Sequence, residues 1–141
     1  MKNVFIILSL IFSIHSFAFT DPKVGGTVNL PKALEKSLKP QGVLFVYAKK
    51  AGPDSGPNDH QPPIAVIKIS APKFPQAFVI TPKNVMIPGT PFEGPFHVIA
   101  RYAPNGDAMS SPDSLEGIDP KFPVADLGNK NLQIQLQAKA K

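Results

Sequence analysis

Alternation of apolar and polar positions is cleanest near the C-terminus, where Leu132, Ile134, Leu136 and Ala138 interleave with Gln133, Gln135 and Gln137. A two-residue period puts successive side chains on opposite faces of a strand, so the segment predicts a closing strand with Leu, Ile, Leu and Ala buried and the glutamines wet. Residues 96–102 carry the same period. Phe96, Val98 and Ala100 alternate with His97, Ile99 and Arg101, which predicts a core strand with one apolar and one mixed face. Residues 43–49 form the most apolar run beyond the N-terminal leader and predict a strand buried on both faces. Residues 25–30, 64–70 and 76–81 predict further strands, the last stopped by Pro82. Pro31, with Leu34 and Leu38 four apart and Glu35 opposite Lys39, predicts one short helix ending at Pro40. The unperiodic residues 50–63 predict an exposed, mobile connection between the strands they join. Residues 105–117 predict a long polar loop after the core strand, with Leu115 packed on the sandwich, and residues 118–124 an irregular segment. About six short strands, frequent turns and one small helix make an all-β, antiparallel β-sandwich.

Composition sharpens this picture. The chain has 17 Pro and 10 Gly but no Cys. Disulfides, zinc–thiolate sites, c-type haem attachment and blue copper are thereby excluded. The formal charge is +5, yet lysines such as Lys32, Lys49, Lys68 and Lys83 are scattered, without interleaved aromatics. That is a solvated basic surface and not a nucleic-acid footprint. At the N-terminus, Lys2 precedes an apolar run over residues 4–14, and Ser16 and Ala18 occupy the −3 and −1 positions of a cleavage site. Residues 1–18 therefore read as a signal peptide and residues 19–141 as a single β-sandwich domain. No later apolar span is long enough to be an integral membrane segment. The expected location is periplasmic or secreted.

No catalytic constellation emerges. Ser110 and Ser111 lie in a polar loop without a nucleophile elbow, and His60 and His97 have no orienting carboxylate. Asp107, Asp113 and Glu116 are close in sequence, but short acids in such a loop make turns. With Asn105 they offer oxygen donors at a spacing that is not an EF-hand's. For copper(I), Met86, Met109, His60 and His97 are suitable donor types but stand singly; methionine in a sandwich is expected as core filler, and His97 as a hydrogen-bonded boundary residue. The expectation is a protein that is not an enzyme and holds no cofactor or metal. Arg101 is the sole arginine. Its planar fork suits a carboxylate at two points, and Glu116 is the favoured acceptor, with Asp107 or Asp113 as fallback. The alternative is that Arg101 faces a partner's carboxylate. Arg101, Asp107, Asp113 and Glu116 are thus the candidate structural or partner-binding residues.

Several short stretches, in order, resemble the C-terminal immunoglobulin-like periplasmic domain of the cytochrome c biogenesis family CycH, also called CcmI. Gly26-Thr27-Val28-Asn29-Leu30 with Ala33-Leu34 is similar to its opening. Residues 44–49 resemble its "LFVFAR" strand, and residues 61–66 its "PP-x-P-L-A-V" segment. Phe78 with Met86-Ile87-Pro88-Gly89, and residues 98–102 with 105–108, follow in the same order. Pro112-Asp113-Ser114-Leu115-Glu116-Gly117 resembles "PGDLEG", with Asp113 and Ser114 altering the turn. The resemblance implies an immunoglobulin-like fold and a non-enzymatic binding or accessory role in cytochrome c maturation, with apocytochrome or a haem-ligation protein as partner. Full-length relatives carry membrane helices and a helical-repeat domain that takes a major part in holding apocytochrome; here a cleavable signal stands in their place. The partner class expected is another envelope protein, with no nucleic acid. A periplasmic copper carrier using Met and His ligands is the second reading. The sequence leaves the binding face and oligomeric state open.

Overall fold

The computed structural model describes residues 21–139, so the signal-peptide reading of residues 1–18 lies outside the described residues. Eight strands follow in chain order: β1 (Val24–Asn29), β2 (Val43–Lys50), β3 (Ala65–Ser70), β4 (Gln76–Ile80), β5 (Phe96–Ala103), β6 (Leu115–Ile118), β7 (Leu132–Gln135) and β8 (Gln137–Ala138). They form a three-stranded sheet, β4-β1-β7, and a five-stranded sheet, β3-β2-β5-β6-β8. The pairing is antiparallel except between β1 and β7, which run parallel.

The core lies between the sheets. Val24, Val28, Phe78, Ile80, Leu132 and Ile134 project from one side. Leu44, Val46, Phe96, Val98, Ala100 and Tyr102 project from the other. These are the alternate positions of each strand, as a period of two requires. Phe92 stacks on Phe96 with ring centroids 4.9 Å apart, and Phe74 meets Tyr102 edge-on at 6.2 Å. The short helix over Lys32–Ser37 is 3-10, not α. It lays Leu34 and Leu38 against the core rim. The Tyr102 hydroxyl accepts the Lys39 amide at 2.9 Å and anchors the segment that follows this helix.

Several sequence expectations change. Leu115–Ile118, read as loop and irregular segment, is strand β6, paired residue for residue with Tyr102 to Ile99 of β5. Gly117 breaks the local alternation, so only long-range pairing reveals the strand. The C-terminal alternation is not one strand. Leu136 ends the run along β1 by donating to the Asn29 carbonyl at 2.9 Å, and β8 then joins the opposite sheet beside β6. Leu132, Ile134 and Leu136 are buried, but Ala138 is exposed because its strand has already left the core edge. The connection over residues 51–63 is held down. Lys49 is only 4% exposed, pairs with the Asp59 carboxylate and donates to the Asp59 and Pro57 carbonyls. The second face of β5 is covered as well. His97 is buried between two loops, with Nδ1 2.8 Å from the Pro123 carbonyl and Nε2 3.3 Å from the Ser55 carbonyl.

Candidate functional site on the outer face and lateral edge

Cross-strand register brings Phe45, Arg101, Glu116 and Gln137 into one row across β2, β5, β6 and β8. All four point away from the core, because their neighbours Leu44, Tyr102 and Leu115 point in. Arg101 uses its three donor positions on three partners. Nε donates to Glu116 Oε1 at 2.6 Å, one terminal nitrogen to the Ala108 carbonyl at 3.2 Å, and the other to the Tyr47 hydroxyl at 3.0 Å. The expected two-point clasp on one carboxylate is therefore spread over a strand, a loop and a second strand. The guanidinium also sits over the Tyr47 ring, 5.4 Å from its centroid. Burial raises the Tyr47 phenol above its ordinary 10.0, and the neighbouring Arg101 charge offsets part of that rise. On the far side Glu116 meets Lys139 at 3.3 Å, and Lys139 and Glu116 both contact the Ser110 hydroxyl.

The other predicted acids do not join this cluster. Asp107 accepts the Met109 amide at 2.9 Å and so closes its own turn, which begins at Gly106 with φ +77. Asp113 is exposed, at the rim of a separate shallow depression beside Leu34 and Pro112. Met86 and Met109 are exposed rather than core-filling, at 56% and 74%. The ring nitrogens of His97 face two backbone carbonyls, so this side chain has no free donor atom to offer a metal. Among the described residues, no three His, Cys, Asp or Glu side chains gather as a metal site would need. Ser111 and Ser114 bond each other, which leaves Ser111 without a base.

Beside the Arg101 row an open groove of about 980 Å³ runs along the lateral edge, where β7 of one sheet meets β6 and β8 of the other. Ile99, Ile118 and Phe122 supply its apolar part. Gln133, Gln135, Gln137, Asn29, Asn58 and Asn131 supply its amides, and Lys121 and Lys139 are matched by Glu116 and Asp119. Two residues escape a sequence reading. Asp119 is 4% exposed and accepts the amides of Lys121 at 2.8 Å, Phe122 at 3.2 Å and Gln133 at 2.7 Å. It thereby fixes the turn over residues 119–122 against the outer edge of β7. The Asp119-Pro120 pair was a turn signal, but the bond to residue 133 had none. Tyr47 carries no local mark of its pairing with Arg101; only the β2–β5 register creates it.

Fold and site together define a β-sandwich of immunoglobulin-like type with an open groove at one edge. A family model described as the cytochrome c-type biogenesis protein H Ig-like domain matches residues 24–135. The chain belongs to that family, as the collinear sequence resemblance implied. Among solved structures, an alternative pilotin from the type II secretion system of Vibrio cholerae is similar at a TM-score of 0.45 and 14% identity, covering 83% of this chain and 97% of that chain. No curated protein matches. No helix among the described residues is long and apolar enough to cross a membrane.

Proposed function

We propose that the protein is a non-catalytic accessory module outside the cytoplasm that binds another envelope protein during cytochrome c maturation. The observation that carries this reading is membership of the biogenesis-protein Ig-like family over residues 24–135. Two others support it. The leader-like residues 1–18 fit export with cleavage after Ala18, and N-terminal sequencing of the exported protein is then expected to begin at Phe19. Arg101, Tyr47, Glu116 and Lys139 on the outer face are engaged with one another, and not arranged as nucleophile and base.

The test is genetic and biochemical. Deleting the gene is expected to lower covalently haem-bound cytochrome c, seen by haem-peroxidase staining of envelope proteins, with restoration by the plasmid-borne gene. Crosslinking the tagged protein in cells is expected to recover an apocytochrome or a haem-ligation component. Unchanged haem staining, together with crosslinks only to copper-export proteins, would replace this reading with the carrier.

A further inference from the structure

We propose that His97 is a proton-operated clasp joining two loops that line the lateral groove. It stands apart from the maturation role and does not rest on it. His97 is 5% exposed and projects from the outer face of β5, between the core-facing Phe96 and Val98. Its two ring nitrogens face carbonyls from loops far apart in the chain: Nδ1 lies 2.8 Å from the Pro123 carbonyl and Nε2 3.3 Å from the Ser55 carbonyl. Pro57 and Asn58 of one loop and Asp119 to Phe122 of the other line the groove. A carbonyl oxygen can only accept. A neutral imidazole has one N–H and one lone pair, so it bonds one of these carbonyls and turns a lone pair on the other. The imidazolium has two N–H groups and bonds both.

Nearby donors supply no substitute. Lys49, the cross-strand partner of His97 on β2, is also buried. Its ammonium is committed to the Asp59 carboxylate and to the carbonyls of Pro57 and Asp59. Acceptors remain in excess under the loop, because Asp59 Oδ2 is buried without a hydrogen-bond partner among the described residues. The Lys49 charge is met by Asp59, so a proton added to the ring does not face an unmatched cation. The other charged side chains on the flanking segments, Lys50, Asp54, Glu93, Lys121 and Asp126, are exposed. Asp119 is buried but committed to three backbone amides. The shorter contact makes Pro123 the acceptor that a neutral ring keeps, so the Ser55 tie is the one that needs the proton. Imidazole ordinarily loses its proton between about pH 6 and 7. Below that range both loops are tied; as pH rises through it the Ser55 tie is lost and the 51–63 loop is left to Lys49. The Lys49–Asp59 pair works in the opposite sense, failing as acid protonates a carboxylate whose pKa folding has lowered. The loop is therefore held most firmly in the mildly acidic range between.

The test is nuclear magnetic resonance of the nitrogen-15-labelled exported protein at about pH 5.5 and about pH 8, on either side of the imidazole range. Ring-nitrogen spectra are expected to show His97 protonated at both nitrogens at the lower pH and at Nδ1 alone at the higher. The Ser55 and Asp59 amides bond to the Gly52 and Gly56 carbonyls within the loop. After correction for intrinsic exchange, their protection should be at least about threefold greater at the lower pH, the scale of one hydrogen bond. The Ala125 amide, bonded to the Phe96 carbonyl beside the retained Pro123 tie, should not change between the two. His97→Gln keeps a donor but does not titrate, and should abolish the pH response of the loop. His60→Gln, at an exposed histidine of the same loop, should preserve it. A single neutral His97 tautomer at both pH values in the folded parent would overturn the proposal. So would equal loop protection at the two pH values, or an undiminished response in folded His97→Gln. The ring spectra of the parent need no variant, so they decide the matter even where His97→Gln does not fold.

Discussion

At the scale of single residues, Arg101 shows why side-chain type matters more than charge. Its guanidinium serves Glu116, the Ala108 carbonyl and Tyr47 at once, with 21% of the side chain exposed. Lysine carries one compact ammonium and cannot reach three partners in divergent directions. Arg101→Lys is therefore expected to destabilise the fold by about 1–2 kcal/mol, the loss of one or two partly buried hydrogen bonds. Glu116→Gln should cost less, about 1 kcal/mol, because an amide oxygen still accepts from Nε. Urea denaturation of both variants checks this, and an unchanged midpoint for Arg101→Lys would reassign the residue to partner binding. Tyr47 adds a pH dependence. Its folded pKa lies above the ordinary 10.0 chiefly through burial. A group whose pKa is raised by folding contributes stability that is complete below the unfolded pKa and is lost as pH rises through the folded one. Stability should thus decline above about pH 10, and Tyr47→Phe should flatten that decline in a pH series of thermal melts.

At the scale of elements, the loop over residues 51–63 is a latch. Lys49 is a buried cation one residue before the end of β2, and the loop folds back to supply a carboxylate and two carbonyls. The hydrogen bond from Lys49 holds the Asp59 carboxyl below its ordinary 3.8, against the opposing effect of desolvation. A pKa lowered by folding contributes stability that is present above the unfolded value and is lost as pH falls through the folded one. Acidification below about pH 4 should therefore release the loop. Asp59→Asn should release it at neutral pH, read as faster amide exchange over residues 52–59. Equal exchange in the variant and the parent at pH 7 would mean that the backbone carbonyls alone hold the loop.

The same scale shows what the sequence made legible. Strand β7 was readable because burial alternates along it and imposes a period of two directly, and β5 because its core-facing positions Phe96, Val98 and Ala100 are all apolar, although its other face is covered too. Leu115 was readable too, as an apolar residue in a polar segment, and it is 3% exposed. The identity of β6, the change of sheet at Leu136 and the ties of Lys49 and Asp119 were not. Each depends on groups brought together from distant parts of the chain, and a local pattern carries no register between strands. Arg101 with Glu116 was accessible for the opposite reason: a lone arginine on a core strand, feeding a loop with few acids, had a short list of partners.

At the scale of the whole molecule, the two sheets interlock along one lateral edge. The chain crosses from the three-stranded to the five-stranded sheet at Leu136, while β6 approaches β7 from the side. Gly117 makes that approach possible. A Cβ there would run into the carbonyl of Gln135 and come within 3.2 Å of Ile134 Cγ2. The obstacle is backbone, held in turn by the β1–β7 pairing, so it cannot swing aside as a flexible side chain would. Gly117→Ala is expected to destabilise the fold by about 1–3 kcal/mol, the usual cost of overpacking a closed contact. Loss of glycine's flexibility in the unfolded chain works the other way but is smaller, about 0.4–1 kcal/mol. Gly56 supplies the comparison, because a Cβ there meets nothing within 4 Å; Gly56→Ala should stay within about 0.5 kcal/mol of the parent. Equal urea midpoints for the two alanine variants would mean that β6 moves off β7 freely and that the sheets do not interlock at this edge.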